Sequence, residues 1–144
     1  SGIPKYTMPG QRRVPGLGVS EAVLFDRYVD EPVPDWVHAA IETIKAGRQG
    51  VEAWMMKGWA LDMLGILPGD ILIIDRGRRA KAGDIVLVEQ TDLATGKSEL
   101  VLRRYEPPYV LTHSSKMGPQ RPEAVDDERV LIMGVETGII RPRH

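Results

Sequence analysis

From Val51 to the end, the chain is built of short apolar, β-branched runs cut at close intervals by Gly, Pro and Asp, and this pattern leaves room for strands and turns but for few helices. The runs are Val51 to Met56, Ile71 to Asp75, Ile85 to Gln90, Glu99 to Tyr105, Tyr109 to His113 and Val130 to Ile140. Between them lie Pro68-Gly69-Asp70, Ala82-Gly83-Asp84, Ala94-Thr95-Gly96 and Glu106-Pro107-Pro108, each with turn chemistry of its own. One helix is predicted over 36–46. Asp35 is placed to cap it, Val37, Ala40, Ile41 and Ile44 recur at helical spacing, and Gly47 supplies the stop. Ahead of it, Glu21 to Val29 reads as one short strand interrupted by Asp30 to Pro34. The expected fold class is mainly β, a compact β domain with one short N-terminal helix.

Residues 1–18 carry three prolines, four glycines and Gln11-Arg12-Arg13, the composition of a linker or flexible arm, and Ser1-Gly2 reads as an expression scar. Residues 19–144 form the expected domain. With 144 residues, 42% of them hydrophobic, the chain can bury a core of its own. It has no run approaching the roughly 20 apolar residues that span a bilayer, and no apolar leader, so a cytoplasmic protein is expected. The absence of cysteine excludes disulfides and thiolate metal sites, and His38, His113 and His144 are too scattered for a ligand set. No metal and no cofactor are expected. A formal net charge of -1 gives no general attraction to nucleic acid, so any such contact must come from a local cluster.

The stretch Met56 to Asp70, with its Gly58-Trp59-Ala60-Leu61 step and Gly65-Ile66-Leu67-Pro68-Gly69-Asp70 turn, followed by Ile71 to Asp75 and Ala82-Gly83-Asp84-Ile85-Val86, resembles the LexA/UmuD-like self-cleaving peptidase domain. Glu99 to Arg104 resembles that family's lysine-bearing strand, and Ile132 to Arg141 its terminal strand pair. The resemblance covers residues 51–141 and keeps the order of elements. It is closer still to the non-catalytic branch fused to Cro/CI-type helix-turn-helix regulators, through Ala60 to Asp70 and Arg103-Arg104-Tyr105-Glu106-Pro107-Pro108-Tyr109. A LexA/signal-peptidase-like fold is what this likeness implies.

Serine-lysine peptidases need a hydroxyl nucleophile and a lysine desolvated enough to take its proton. The resemblance places Ala60 at the nucleophile and Arg103 at the base. A methyl group forms no acyl-enzyme, and a guanidinium, with a pKa above about 12, keeps its proton. A pseudo-peptidase with no catalytic residue follows, Ala60 and Arg103 marking the vestigial positions. Engineering of Ala60 alone would leave Arg103 unexplained. Ala46-Gly47 is the one upstream dipeptide of the cleavable kind, but it lies only 14 residues before Ala60, and Gly47 serves better as a helix stop. Ser114, Ser115 and Lys116 lie in a polar loop whose neighbours in sequence lack converging geometry.

The resemblance implies the dimerisation and regulatory domain of a transcriptional repressor. Its partners are a second copy of itself and DNA, the latter through a helix-turn-helix domain absent from these residues, with a protein or peptide effector as a further partner and no membrane. Dimer contacts are expected on the terminal strand, at Val130, Ile132, Val135, Ile139 and Ile140, and a remnant cleft at Trp54, Trp59 and Leu61. Two alternatives stay open: a self-cleaving peptidase in a disabled form, and a sensor that binds a peptide or small molecule in the remnant cleft. Arg76, Arg78, Arg79 and Lys81 form a concentrated basic cluster on an expected hairpin after Asp75, suited to a solvated turn or to an anionic partner.

Overall fold

A computed structural model of the protein describes residues 21–25 and 32–143. The expected arm at 1–18, residues 26–29 of the expected first strand and residues 30 and 31 of the break lie outside these. The elements run β1 (Ala22–Leu24), α1 (Asp35–Lys45), β2 (Val51–Met56), a 3-10 turn (Asp62–Leu64), β3 (Ile71–Asp75), β4 (Ile85–Thr91), β5 (Ser98–Glu106), β6 (Tyr109–Leu111), β7 (Glu123–Ala124) and β8 (Val130–Ile140). Strand and helix positions agree closely with the periodicity of the sequence, and the fold is mainly β. The two-residue β7 carries no apolar signal and was not expected.

All eight strands join one antiparallel sheet in the order β1-β2-β3-β8-β4-β5-β6-β7. The last strand lies between β3 and β4, so the basic segment after Asp75 is not a hairpin. It is a crossover between strands that never pair, because β8 takes the hydrogen bonds a hairpin would have used. Insertion at the centre of the sheet also explains the composition of β3. Ile71, Leu72, Ile73 and Ile74 are buried on both faces, and a strand covered on both sides reads as an unbroken apolar run.

One face of the sheet gathers Trp54, Met56, Leu72, Ile74, Leu87, Leu100 and Leu102 around Ala60 and Leu61. On the other face Ala53, Met55, Ile71 and Ile73 meet Val37 and Ile41 of α1, while Val86, Val88, Val101, Val110, Val130 and Val135 form a separate cluster. Burial of Val37 and Ile41 contributes about 2 kcal/mol each. Packing, rather than capping, therefore holds the helix: Pro34 occupies the cap position without a side-chain hydrogen bond, and Asp35 is the first helical residue instead of the expected cap. The left-handed Gly47 (φ 69) sits in the turn after it.

Close strand contact at the centre requires one particular glycine. A Cβ on Gly134 would sit 2.5 Å from Ile74 Cγ2 and 3.2 Å from the Asp75 carbonyl oxygen. The sheet also curls enough for β1 to touch β5, with which it does not pair. No helix among the described residues is long and apolar enough to cross a membrane.

Candidate functional site

The segment carrying Ala60 is an excursion out of the sheet between β2 and β3. It leaves and returns through a tight gate: the Met56 N–H donates to the Asp70 carbonyl (2.8 Å) and the Gly69 N–H to the Met56 carbonyl (2.8 Å). Inside the excursion Leu61 accepts from the N–H groups of Leu64 (2.9 Å) and Ile66 (3.3 Å), and Gly65 turns the chain at φ 82. Ala60 is wholly buried among Ala22, Leu61, Leu100 and Leu102, and its carbonyl accepts the His113 N–H at 2.8 Å. The position that resembles a nucleophile is thus a core methyl with no open approach.

Arg103 lies on β5, on the opposite side of the strand from Leu100 and Leu102. Its side chain is 9% exposed and its guanidinium grips one carboxylate with both ends, Nη1 donating to Glu21 Oε1 (2.7 Å) and Nη2 to Glu21 Oε2 (3.2 Å). Nη1 also donates to the Leu102 carbonyl at 3.0 Å. Bidentate arginine–carboxylate pairs of this kind are strong and geometrically fixed. Glu21 in turn anchors the excursion, since its carbonyl accepts the N–H groups of Lys57 (2.7 Å) and Gly58 (3.3 Å), and its Cγ lies 3.6 Å from where a Cβ on Gly58 would project. One residue ahead of β1 therefore ties the Gly58-Trp59-Ala60 turn to Arg103 across the seam of the curled sheet. Nothing in the local sequence pattern marks Glu21 for this role.

The loop after β6 straps the same excursion from outside. Ser115 donates its hydroxyl to Asp62 Oδ2 in a short hydrogen bond and its N–H to Asp62 Oδ1 at 2.9 Å, while the Met63 N–H donates to the His113 carbonyl at 3.0 Å. The Ser115 hydroxyl and N–H hold the exposed Asp62 carboxyl below its ordinary value. The Lys116 ammonium stands 5.0 Å from the centre of the Trp59 ring, a cation–π contact. Ser114 turns inward on its own loop, accepting from the N–H groups of Lys116 and Met117. Ser115 thus faces the Asp62 carboxylate and Ser114 its own loop, while the Lys116 ammonium stands over Trp59.

The expected cleft residues separate. Trp54 and Leu61 are fully buried core residues and line no cleft, because both belong to the central apolar face of the sheet. Trp59 alone is exposed, at 43%. A shallow cavity of about 380 Å³ does exist, but on other residues: Met55, Leu67, Asp70 and Arg141 among them. There Arg141 Nε donates to Asp70 Oδ1 (2.7 Å), and its Nη2 to Asp70 Oδ2 (2.7 Å) and to the Gly65 carbonyl. Asp70 is nearly wholly buried and also accepts the Leu67 N–H at 2.8 Å. This contact pushes the Arg141 guanidinium above its ordinary value. The Pro68-Gly69-Asp70 turn pointed to Asp70; Arg141 had no signal beyond lying past the last strand.

Of the expected dimer residues, Val130 and Val135 are buried by their own sheet, against Val86, Val88 and Val101, and present no surface to a partner. Ile132 and Ile140 are half-buried, and Ile139 is exposed. Burial, with Asp84 nearby, raises the Glu136 carboxyl on the same strand above its ordinary value. No protein-family model and no curated protein matches the chain.

Proposed function

We propose that this domain is a non-catalytic pairing and regulatory domain of a LexA/CI-like transcriptional repressor, acting in the cytoplasm. The observation that carries the non-catalytic part is the Arg103–Glu21 clamp together with the burial of Ala60. A peptidase base must be free to accept a proton and must face its nucleophile. Here the cation at the base position is consumed by a fixed carboxylate, and the nucleophile position is a methyl group packed in the core. Chemistry has been exchanged for structure at both places.

The resemblance of residues 51–141 to the Cro/CI-associated branch supports the regulatory part. Two copies related by a two-fold axis would hold two helix-turn-helix heads at the spacing of a palindromic operator. With Val130 and Val135 committed to the core, the pairing surface on β8 reduces to Ile139 and the half-buried Ile132 and Ile140.

Sedimentation velocity at a concentration on the order of tens of micromolar tests the reading by mass action. A dimer is expected, and Ile139→Asp is expected to shift it to monomer with an unchanged far-ultraviolet spectrum. A monomer for the unaltered chain, or a dimer indifferent to Ile139→Asp and to charge at Ile132 and Ile140, overturns it.

A further inference from the structure

The fold brings positive charge together where β3 ends and β4 begins, beside the middle of β8. In the crossover from β3 to β4, four of the six residues 76–81 are basic (Arg76, Arg78, Arg79, Lys81) and none is acidic. The turn between α1 and β2, which adds Lys45 and Arg48, lies directly against it. The Arg76 N–H donates to the Gly50 carbonyl at 2.8 Å, and a Cβ on Gly50 would stand 3.9 Å from Arg76 Cβ. Arg76 is engaged with Glu52 at 3.5 Å. The nearest carboxylates of the crossover, Asp75 and Asp84, are turned onto backbone N–H groups, of Gly77 (2.9 Å) and Lys81 (2.8 Å). Arg48, Arg78, Arg79 and Lys81 are exposed. A chain whose formal net charge is -1 thus presents one strongly cationic surface.

We infer that this surface, the crossover 76–81 with the turn 45–50, binds the phosphate backbone of a nucleic-acid duplex without reading its sequence. Three features choose the partner. The basic side chains stand exposed on two adjoining turns, which suits a repeating polyanion rather than a single phosphate. Neither segment contains an aromatic residue, so neither offers a platform for the unstacked bases of a single strand. Three of the four exposed cations are arginines, whose planar fork matches phosphate oxygens in pairs. The surface also lacks the large apolar residues with which a basic segment inserts into a lipid interface. The inference rests on charge placement alone and stands apart from the pairing proposed above.

The test is fluorescence-anisotropy titration of a short duplex DNA of scrambled sequence with the full chain. Each neutralised phosphate contributes about -0.9 to the slope of log affinity against log salt, so three or four contacts predict a loss of about 40- to 150-fold between about 50 and 200 mM salt. Arg78→Glu with Arg79→Glu is expected to cut affinity at low salt at least tenfold with an unchanged far-ultraviolet spectrum, whereas Lys97→Glu, on the exposed turn at the far end of β4, leaves it unaltered. Three results would each overturn the inference: no salt-dependent binding, equal loss in both variants, or equal binding of polyglutamate or of phosphatidylserine vesicles. A chain that sediments as a monomer yet binds duplex in this manner would refute the pairing and keep the basic surface.

Discussion

Two arginine–carboxylate clamps fix the excursion between β2 and β3, and they are built in opposite senses. In the first, the cation is buried and the anion partly open: Arg103 is 9% exposed and Glu21 22%. In the second the anion is buried and the cation open, Asp70 being 2% exposed and Arg141 43%. Each spans a long separation in sequence, 82 and 71 residues, and each grips with two nitrogens. The difference lies in what remains when the more exposed partner goes. Arg103 would keep only the Leu102 carbonyl in an apolar setting, whereas Asp70 would keep the Leu67 N–H and gain water through the space of an exposed side chain. A buried charge is costly in proportion to how little else can satisfy it.

The sharpest way to break the comparison is Glu21→Ala. Stranding the Arg103 guanidinium should cost about 2–3 kcal/mol in urea unfolding, somewhat less than for a fully buried pair because Glu21 is itself partly open. Replacing both partners by methionine should recover stability to within about 1 kcal/mol of the parent, since an apolar pair of similar volume needs no compensating charge. If the single and the double variant lose equally, Arg103 is not held as described. Arg141→Ala should lower the urea midpoint by less than Glu21→Ala does; the reverse order would mean that the open clamp, not the buried one, dominates.

A smaller effect comes from the strand between the two clamps. Glu136 is raised by burial and by Asp84, so the folded state keeps its proton to higher pH than the unfolded chain. The associated stability is complete below the ordinary carboxylate value of about 4.3 and is lost as pH rises through the folded value. Glu136→Gln should therefore raise the melting temperature by about 1–3 °C near neutral pH, with the gain vanishing at about pH 4. A constant gain across that range would point to packing rather than to charge.

Local pattern carried the elements of this fold further than it carried their arrangement. The strands at 51–56, 71–75 and 130–140 stand where β-branched runs and Gly, Pro and Asp breaks put them. Local pattern could not show that β8 slips between β3 and β4, because pairing is a property of two distant segments. The basic run after Asp75 therefore read as a hairpin and is a crossover. The site divides in the same way. Ala60 and Arg103 stood out as the wrong residues for a peptidase, but Glu21 and Arg141, which give the neighbourhood its geometry, lie 82 and 71 residues from their partners. Trp54 and Leu61 looked like cleft residues because a large apolar side chain beside a motif has the same signature in a core as in a groove.

The central claim is that the two positions resembling a peptidase's base and nucleophile serve structure, with Arg103 a clamp and Ala60 a core methyl. Its most direct test is to install both missing groups, Ala60→Ser with Arg103→Lys, and to incubate the folded double variant at alkaline pH with mass-spectrometric detection of fragments. Glu21 would pair with the new lysine as it does with Arg103 and hold it protonated, and the new hydroxyl would lie in the core. The chain is expected to remain intact, and a specific internal cut would contradict the claim outright.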